Sequence, residues 1–190
     1  MLEAVNLTKS FDGKTVLSGV SVQLEEGVHY CLMGPSGCGK TTLLNILMGL
    51  MKPDGGKVRC PAGTRFSAVF QEDRLLEQMT AAANVMLVSP ASREAIDALL
   101  GELGIDGESL SVPVSAFSGG MKRRVALCRA LLADYDVLFL DEPYKGLDEA
   151  LRSRVMDIVR DRTSGKTVLL VTHDRDETEG YKPIHLTKAD

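Results

Sequence analysis

A glycine-rich stretch, residues 34–41, fits the phosphate-binding pattern G-x-x-x-x-G-K-[ST]. It stands between an apolar run at 29–33 and a segment with helical spacing, and this strand–loop–helix context favours nucleotide binding over an accidental glycine-rich turn. Its glycines allow backbone N–H groups to point into one concavity at a helix N-terminus. Lys40 would bring a positive charge to the outer phosphates, and the Thr41 hydroxyl would ligate Mg²⁺. The predicted nucleotide contacts here are Gly34, Pro35, Ser36, Gly37, Cys38, Gly39, Lys40, Thr41 and Thr42.

Ionisable side chains follow two apolar runs further along the chain. The run 137–140 is continuous, as in a strand buried on both faces of a parallel sheet, and ends in Asp141 and Glu142. The run 167–172 repeats the pattern and delivers His173. Open α/β sheets bind ligands at the carboxyl edge of their strands. A lone histidine is more often structural, but this position favours a functional role.

The stretch Phe117-Ser118-Gly119-Gly120-Met121 begins a further segment. Ser118 is a good helix N-cap, and an apolar stripe follows it. By itself the stretch would indicate only a capped amphipathic helix. Its position between the phosphate loop and the Asp141-Glu142 pair is the reason to weigh it as a functional motif.

Together these motifs make the chain resemble the ATP-binding cassette of an ABC transporter over nearly its whole length. The resemblance implies an α/β fold of the P-loop NTPase type, with a mostly parallel core sheet, a small antiparallel β edge and an inserted helical subdomain. It predicts one ABC ATPase domain over 1–190. The core would be about 1–72 and 118–190, and the helical subdomain about 73–117.

The resemblance also implies roles for single residues, with ATP and Mg²⁺ as cofactors. Phe11 matches the aromatic residue that stacks on adenine, and Gln71 the glutamine that touches Mg²⁺ and the attacking water. Asp141 matches the metal-binding aspartate, Glu142 the general base, and His173 the histidine near the γ-phosphate. The implied metal ligands are Thr41, Gln71 and Asp141.

In the family, two cassettes enclose two ATP molecules, each between the phosphate loop of one copy and the signature motif of the other. Ser118, Gly119 and Gly120 match that signature, and Asp148 matches the aspartate that crosses the dimer interface. The implied catalytic set is Glu142, His173, Lys40, Gln71, Ser118, Gly119, Gly120 and Asp148.

Two motif details resemble the nitrate, sulfonate and taurine importer group: Met121 where the signature usually has Gln, and the stretch 70–76. The resemblance therefore implies ATP hydrolysis that powers a small-solute importer. The implied partners are an integral membrane permease contacted around Gln71, a second copy of the cassette and an extracytoplasmic solute-binding protein. Lys145 occupies a position that is usually small, where it would contact the partner or be solvated.

Two other functions stay open from the sequence. One is a soluble ABC ATPase that acts on a nucleic acid, a ribosome or an iron–sulfur scaffold. The single cassette and the formal net charge of −4 argue against it, and against a general nucleic-acid partner. The other is a regulatory nucleotide switch without turnover, which the presence of both Glu142 and His173 disfavours.

Length and composition predict one soluble domain. The 190 residues include no apolar run of the roughly 18 residues that a membrane span needs, and the N-terminus lacks signal-peptide features. Four scattered cysteines indicate reduced thiols in a cytoplasmic protein. The expected location is the cytoplasm, peripheral on the inner face of the cell membrane. Cys38 is either a reactive thiol in the positive field of the phosphate loop or a small packing residue.

Periodicity predicts the elements that position these residues. Strands are expected over 2–7, 16–24 and 65–70, a hairpin turn over 9–14, and largely helical structure over 72–114.

Overall fold

The computed structural model describes residues 1–189, which form two compact units. The first unit comprises residues 1–66, 136–141 and the chain from Gly165 onward. The second unit comprises residues 67–135 and 142–164, and the predicted helical subdomain lies within its sequence. The strands are β1 (Leu2–Phe11), β2 (Lys14–Leu24), β3 (His29–Met33), β4 (Gly55–Arg59), β5 (Phe66–Val69), β6 (Val137–Asp141), β7 (Thr167–Val171) and β8 (Lys182–His185). The α-helices are α1 (Lys40–Leu47), α2 (Ala81–Met86), α3 (Arg93–Glu102), α4 (Gly119–Leu132) and α5 (Glu149–Arg162).

A small antiparallel sheet in the first unit has the strand order β2–β1–β4. The predicted hairpin is confirmed, but its turn contains fewer residues than the predicted segment 9–14. Only Asp12 and Gly13 separate β1 from β2, with φ values of 49° and 78°. Two successive positive φ values are what a tight hairpin turn needs to match the twist of its strands.

The second sheet has the order β5–β6–β7–β3–β8, and the pairs β6–β7, β7–β3 and β3–β8 are parallel. All residues of β6 and of β7 are buried, which explains why both strands have continuous apolar sequences. Because β7 lies between β3 and β6, the carboxyl ends of these three strands meet at one edge. The predicted strands at 29–33, 137–140 and 167–172 are confirmed.

Helices α2, α3 and α4 pack together in the second unit. Each α-helix of this unit begins at a side-chain cap whose oxygen accepts a backbone N–H from three residues later. These caps are Thr80, Ser92, Ser118 and Asp148. The segment 72–114 is less helical than predicted, since it contains α2, α3, a 3-10 helix at Gly107–Ser111 and loops.

Candidate nucleotide-binding and hydrolysis site

The phosphate loop leaves β3 and becomes α1 at its lysine, as the sequence predicts. Gly37 and Gly39 have φ values of 74° and 99°, a region that residues with a Cβ rarely adopt. A Cβ on Gly34 would lie 2.3 Å from the Leu186 carbonyl oxygen. Glycine is therefore required at these points, by backbone conformation at two and by close packing at the third.

The ammonium group of Lys40 lies within this loop, and the residue is only 7% exposed. Nζ donates hydrogen bonds to the carbonyl oxygens of Gly34 at 2.8 Å and Pro35 at 3.1 Å. These contacts hold a nearly buried positive charge beside the backbone N–H groups of the loop. The loop therefore offers an anion both a mobile cation and oriented dipoles.

Thr41 and Asp141, two of the predicted metal ligands, are in direct contact. The Thr41 hydroxyl donates to Asp141 Oδ2 at 2.9 Å, and Asp141 is 5% exposed. This places a hydroxyl and a carboxylate, the oxygen donors that Mg²⁺ prefers, at one point of the sheet edge. Within residues 1–189 no cluster of three or more His, Cys, Asp or Glu residues could hold a metal ion. The Thr41 hydroxyl and the Asp141 carboxylate together suit Mg²⁺, which commonly takes one or two carboxylates and completes its shell with phosphates and water.

His173 lies two residues beyond β7, at the same edge, and its side chain is exposed. A small hydrogen-bonded turn holds the chain there. The Thr172 hydroxyl donates to buried Glu177 at 2.5 Å and accepts from the Asp174 N–H at 3.1 Å. The parallel register thus brings His173 to the edge that carries the phosphate loop and Asp141.

Phe11 ends β1 and is 42% exposed. Lys9 Nζ lies 5.5 Å from the centre of its ring, which is within cation–π distance. An exposed aromatic face is compatible with stacking on a base, and this role remains a prediction.

Gln71 follows β5 in the second unit, and its side chain is exposed. Its main-chain carbonyl accepts a hydrogen bond from Arg123 at 2.6 Å. Sequence reasoning passed over Arg123 because it counted only the apolar residues of that helix. The available signal was an arginine within an apolar helical stripe, where a buried charge needs a partner.

The signature residues form the first turn of α4. Ser118 Oγ accepts from the Met121 N–H at 3.3 Å, and Gly119 and Gly120 are the first residues of the helix. A Cβ on Gly120 would lie 3.0 Å from the carbonyl oxygen of Gly146. The helix start is thus tightly packed on one side, while Ser118 and Gly119 are exposed.

Glu142 has a φ of 50°, which is uncommon for a residue other than glycine and costs conformational energy. Its Oε2 atom lies 3.2 Å from the ammonium of Lys145, three residues later. The sequence suggested either partner contact or solvation for Lys145, and the structure adds an ion pair with the predicted base. Asp148 caps α5 through Oδ1, which accepts from the Leu151 N–H at 3.0 Å.

Three of the four cysteines are buried, and Cys60 is exposed. Burial raises the pKa of Cys31 to about 11 and that of Cys128 to about 12. Both thiols are therefore expected to be inert. Cys38 is 1% exposed, which favours the packing interpretation over the reactive one.

A profile of the ABC transporter family matches residues 17–145, the span that contains the phosphate loop, the signature and the Asp141-Glu142 pair. The chain belongs to the ABC transporter family. As an ATP-binding cassette of this family it binds and hydrolyses ATP, as the sequence predicted.

Curated relatives cover most of the chain. The aliphatic sulfonates import ATP-binding protein SsuB 1 of Nocardia farcinica is 43% identical over 176 residues, or 90% of this chain and 71% of that protein. The protein SsuB 3 of Rhodococcus jostii, with the same description, is 41% identical over 174 residues, or 89% of this chain and 64% of that protein.

Solved structures confirm the predicted cassette fold. A dimeric post-hydrolysis state of the cassette MJ0796 bound to ADP and Pi has a TM-score of 0.88 at 26% identity, covering 98% of this chain and 94% of that chain. A second dimeric MJ0796 structure, described as a bacterial ABC transporter cassette, has a TM-score of 0.87 at 27% identity over the same shares. No helix within residues 1–189 has the length and apolar character to cross a bilayer.

Proposed function

We propose that this cassette powers a small-solute importer, with organic sulfonates as the first class of solute to test. The observation that carries the proposal is the 43% identity, over 90% of the chain, to a protein described as serving aliphatic sulfonate import. The motif Ser118-Gly119-Gly120-Met121 supports the same group by resemblance.

The proposed assembly contains two copies of the cassette, bound to a membrane permease at the inner face of the cell membrane. The dimeric structures of MJ0796 support the pairing of two cassettes. An extracytoplasmic solute-binding protein would deliver the solute to the permease. The cassette itself would therefore never contact the transported molecule.

Nucleotide binding is proposed to use the phosphate loop, Lys40 and the stacking face of Phe11. Lys40 would exchange its contacts with the loop carbonyls for the outer phosphates. Thr41 and Asp141, already in contact at 2.9 Å, would hold Mg²⁺ together with Gln71. When bound, Mg²⁺ would neutralise charge on the β- and γ-phosphates.

Hydrolysis is proposed to begin with proton transfer from the attacking water to Glu142. His173 would face the γ-phosphate from the same copy. Ser118 and the N–H groups of Gly119 and Gly120 would face it from the other copy, where the N-terminus of α4 favours negative charge. Asp148 would lie at the interface between the copies. A site divided in this way is active only when two copies close.

Reconstitution tests the transport function. The cassette is co-expressed with a candidate permease, placed in proteoliposomes with the matching solute-binding protein, and assayed for ATP hydrolysis with an alkanesulfonate, nitrate or no solute. We expect the alkanesulfonate to raise the hydrolysis rate and to accumulate on the side of the membrane that carries the cassette, opposite the solute-binding protein. The matched control is Glu142→Gln, which should assemble without either response.

The alternative of a soluble ABC ATPase makes the opposite prediction. In that case the chain would hydrolyse ATP but would not co-purify with any permease. Co-purification with ribosomes or nucleic acid instead would refute the importer proposal while leaving the ATPase assignment intact.

A further inference from the structure

Arg123 of α4 is a buried cation whose hydrogen bonds all point to one loop. Its side chain is 7% exposed. Nη1 donates to the carbonyl oxygen of Phe70 at 2.5 Å, and Nη2 donates to that of Gln71 at 2.6 Å. Nε lies 3.2 Å from Asp73 Oδ1. We call residues 70–74 the Gln71 loop.

A second arginine of α4 donates hydrogen bonds to the other end of the same loop. Arg129 donates to the carbonyl oxygens of Asp73 at 2.9 Å and Arg74 at 2.7 Å. The guanidinium of Arg74 lies 3.8 Å from the ring centre of Phe70, which closes the loop on itself. Two side chains of one helix therefore hold four main-chain carbonyls of the Gln71 loop.

The chemistry of these contacts makes the loop's position depend on α4. A guanidinium presents several donors in a rigid fork, so bonding two adjacent carbonyls fixes both their distance and their direction. Hydrogen bonds from a charged donor are stronger than neutral ones, and a buried arginine without acceptors would be unfavourable. Burial raises the pKa of the Asp73 carboxyl, while the nearby charges of Arg123, Lys122 and Arg129 oppose that shift.

We propose that Arg123 is a positioning residue for Gln71 and links it to the signature motif. By holding the Gln71 carbonyl it fixes where the Gln71 side chain leaves the loop. Arg123 lies five residues after Ser118, about 7.5 Å along a helix that rises 1.5 Å per residue. When the start of α4 engages ATP on the second copy, the movement of the helix is carried to Gln71 through this guanidinium. The inference rests on the proposed role of Gln71 in hydrolysis.

Arg124 supplies a matched control on the same helix. It is also nearly buried, at 9% exposed, but its Nη1 donates to the carbonyl oxygens of Leu103 at 2.7 Å and Gly104 at 2.8 Å. Arg124 Nε also donates to the carbonyl oxygen of Gly120 at 3.2 Å, within its own helix. Removing the Arg123 guanidinium takes a donor from two main-chain carbonyls, and removing that of Arg124 takes one from three. Of these two losses, only that of Arg123 removes hydrogen-bond donors from the Gln71 loop.

The test is a double-mutant cycle for ATP hydrolysis by the full chain. Arg123→Gln, Gln71→Ala and the combined variant are compared with the parent for kcat and for the Kd of ATP. We expect Arg123→Gln to lower kcat about ten- to a hundredfold, the scale of a small misplacement of a catalytic group, and to leave the Kd within about twofold. In the Gln71→Ala background, Arg123→Gln should lower kcat by less than about a further twofold, because the Gln71 side chain that it would position has been removed.

The control cycle pairs Arg124→Gln with Gln71→Ala. Its two effects on kcat should multiply, since Arg124 does not act through the Gln71 loop. Thermal midpoints of both arginine variants separate lost activity from lost folding. If Arg123→Gln does not fold, Arg123→Lys replaces it, because a lysine keeps the buried charge but has no fork to bridge two carbonyls.

The results that differ from these expectations each contradict one part of the proposal. An unchanged kcat in Arg123→Gln, or effects that multiply with Gln71→Ala, would overturn the positioning role while leaving the proposed function intact. An unchanged kcat in Gln71→Ala would overturn the proposed role of Gln71 and this inference with it. A parent chain that binds ATP but gains no activity with any permease would count against the transport proposal alone.

Discussion

The ion pair between Lys145 and the predicted base Glu142 should slow hydrolysis. Their Nζ and Oε2 atoms are 3.2 Å apart, and the two side chains are 63% and 20% exposed, respectively. As Glu142 takes a proton from water its carboxylate loses its negative charge, so the ammonium stabilises the state before transfer more than the state after it. Lys145→Ala should therefore lower the barrier and raise kcat.

The exposure of the pair sets the size of this effect. Ion pairs at the surface are worth about 0.2–1 kcal/mol, which corresponds to a rate change of about 1.4- to 5-fold. The assay is steady-state phosphate release at saturating MgATP, with the KM for ATP expected to stay constant because Lys145 lies outside the phosphate loop. The difference between variant and parent should shrink as ionic strength rises from about 0.05 M to about 0.5 M.

Two controls accompany this variant. Lys145→Arg keeps the positive charge and should keep the parent rate. Arg160→Ala removes a cation from another surface pair of the second unit, with Asp157 at 3.7 Å, and should also leave the rate unchanged. A rate for Lys145→Ala at or below that of the parent would refute the reasoning.

Further expected outcomes concern the base, the signature, the thiols and a buried amide. Glu142→Gln should bind ATP, accumulate as an ATP-bound dimer and hydrolyse at less than about a tenth of the parent rate; faster turnover would remove Glu142 from the role of base. Ser118→Arg should bind ATP with parent affinity and fail to dimerise in gel filtration, whereas normal ATP-driven dimerisation would contradict a site shared between copies. A maleimide should label exposed Cys60 before buried Cys38 in the native chain, as peptide mapping would show, and the reverse order would restore the reactive interpretation of Cys38. Asn84→Ala should lower the thermal midpoint by about 2–10 °C, because fully buried Asn84 bonds the main chain of Leu76 in both directions at 2.8 and 3.1 Å; an unchanged midpoint would show that water replaces those bonds.

Local sequence determined the parts of this protein that depend on a few neighbouring residues. The phosphate loop was predictable because glycine is needed where φ is positive, as at Gly37 and Gly39, and because an apolar run must precede it. The start of α4 was predictable from Ser118, which caps it. The buried strands β6 and β7 were predictable because a strand covered on both faces must be apolar throughout.

Other features were decided only by tertiary structure, because their partners are distant in the sequence. Strand β4 begins with two glycines and has no strand pattern of its own; it forms by pairing with β1, and a Cβ on Gly56 would lie 2.3 Å from the Asn6 carbonyl oxygen. Thr41 meets Asp141 across a separation of 100 residues because β7 places β3 and β6 on either side of it. The sequence shows Arg123 only as an arginine within the apolar stripe of a helix, without any sign of its partners. Only packing reveals its acceptors, since a buried charge is stable where the folded chain brings carbonyls to it.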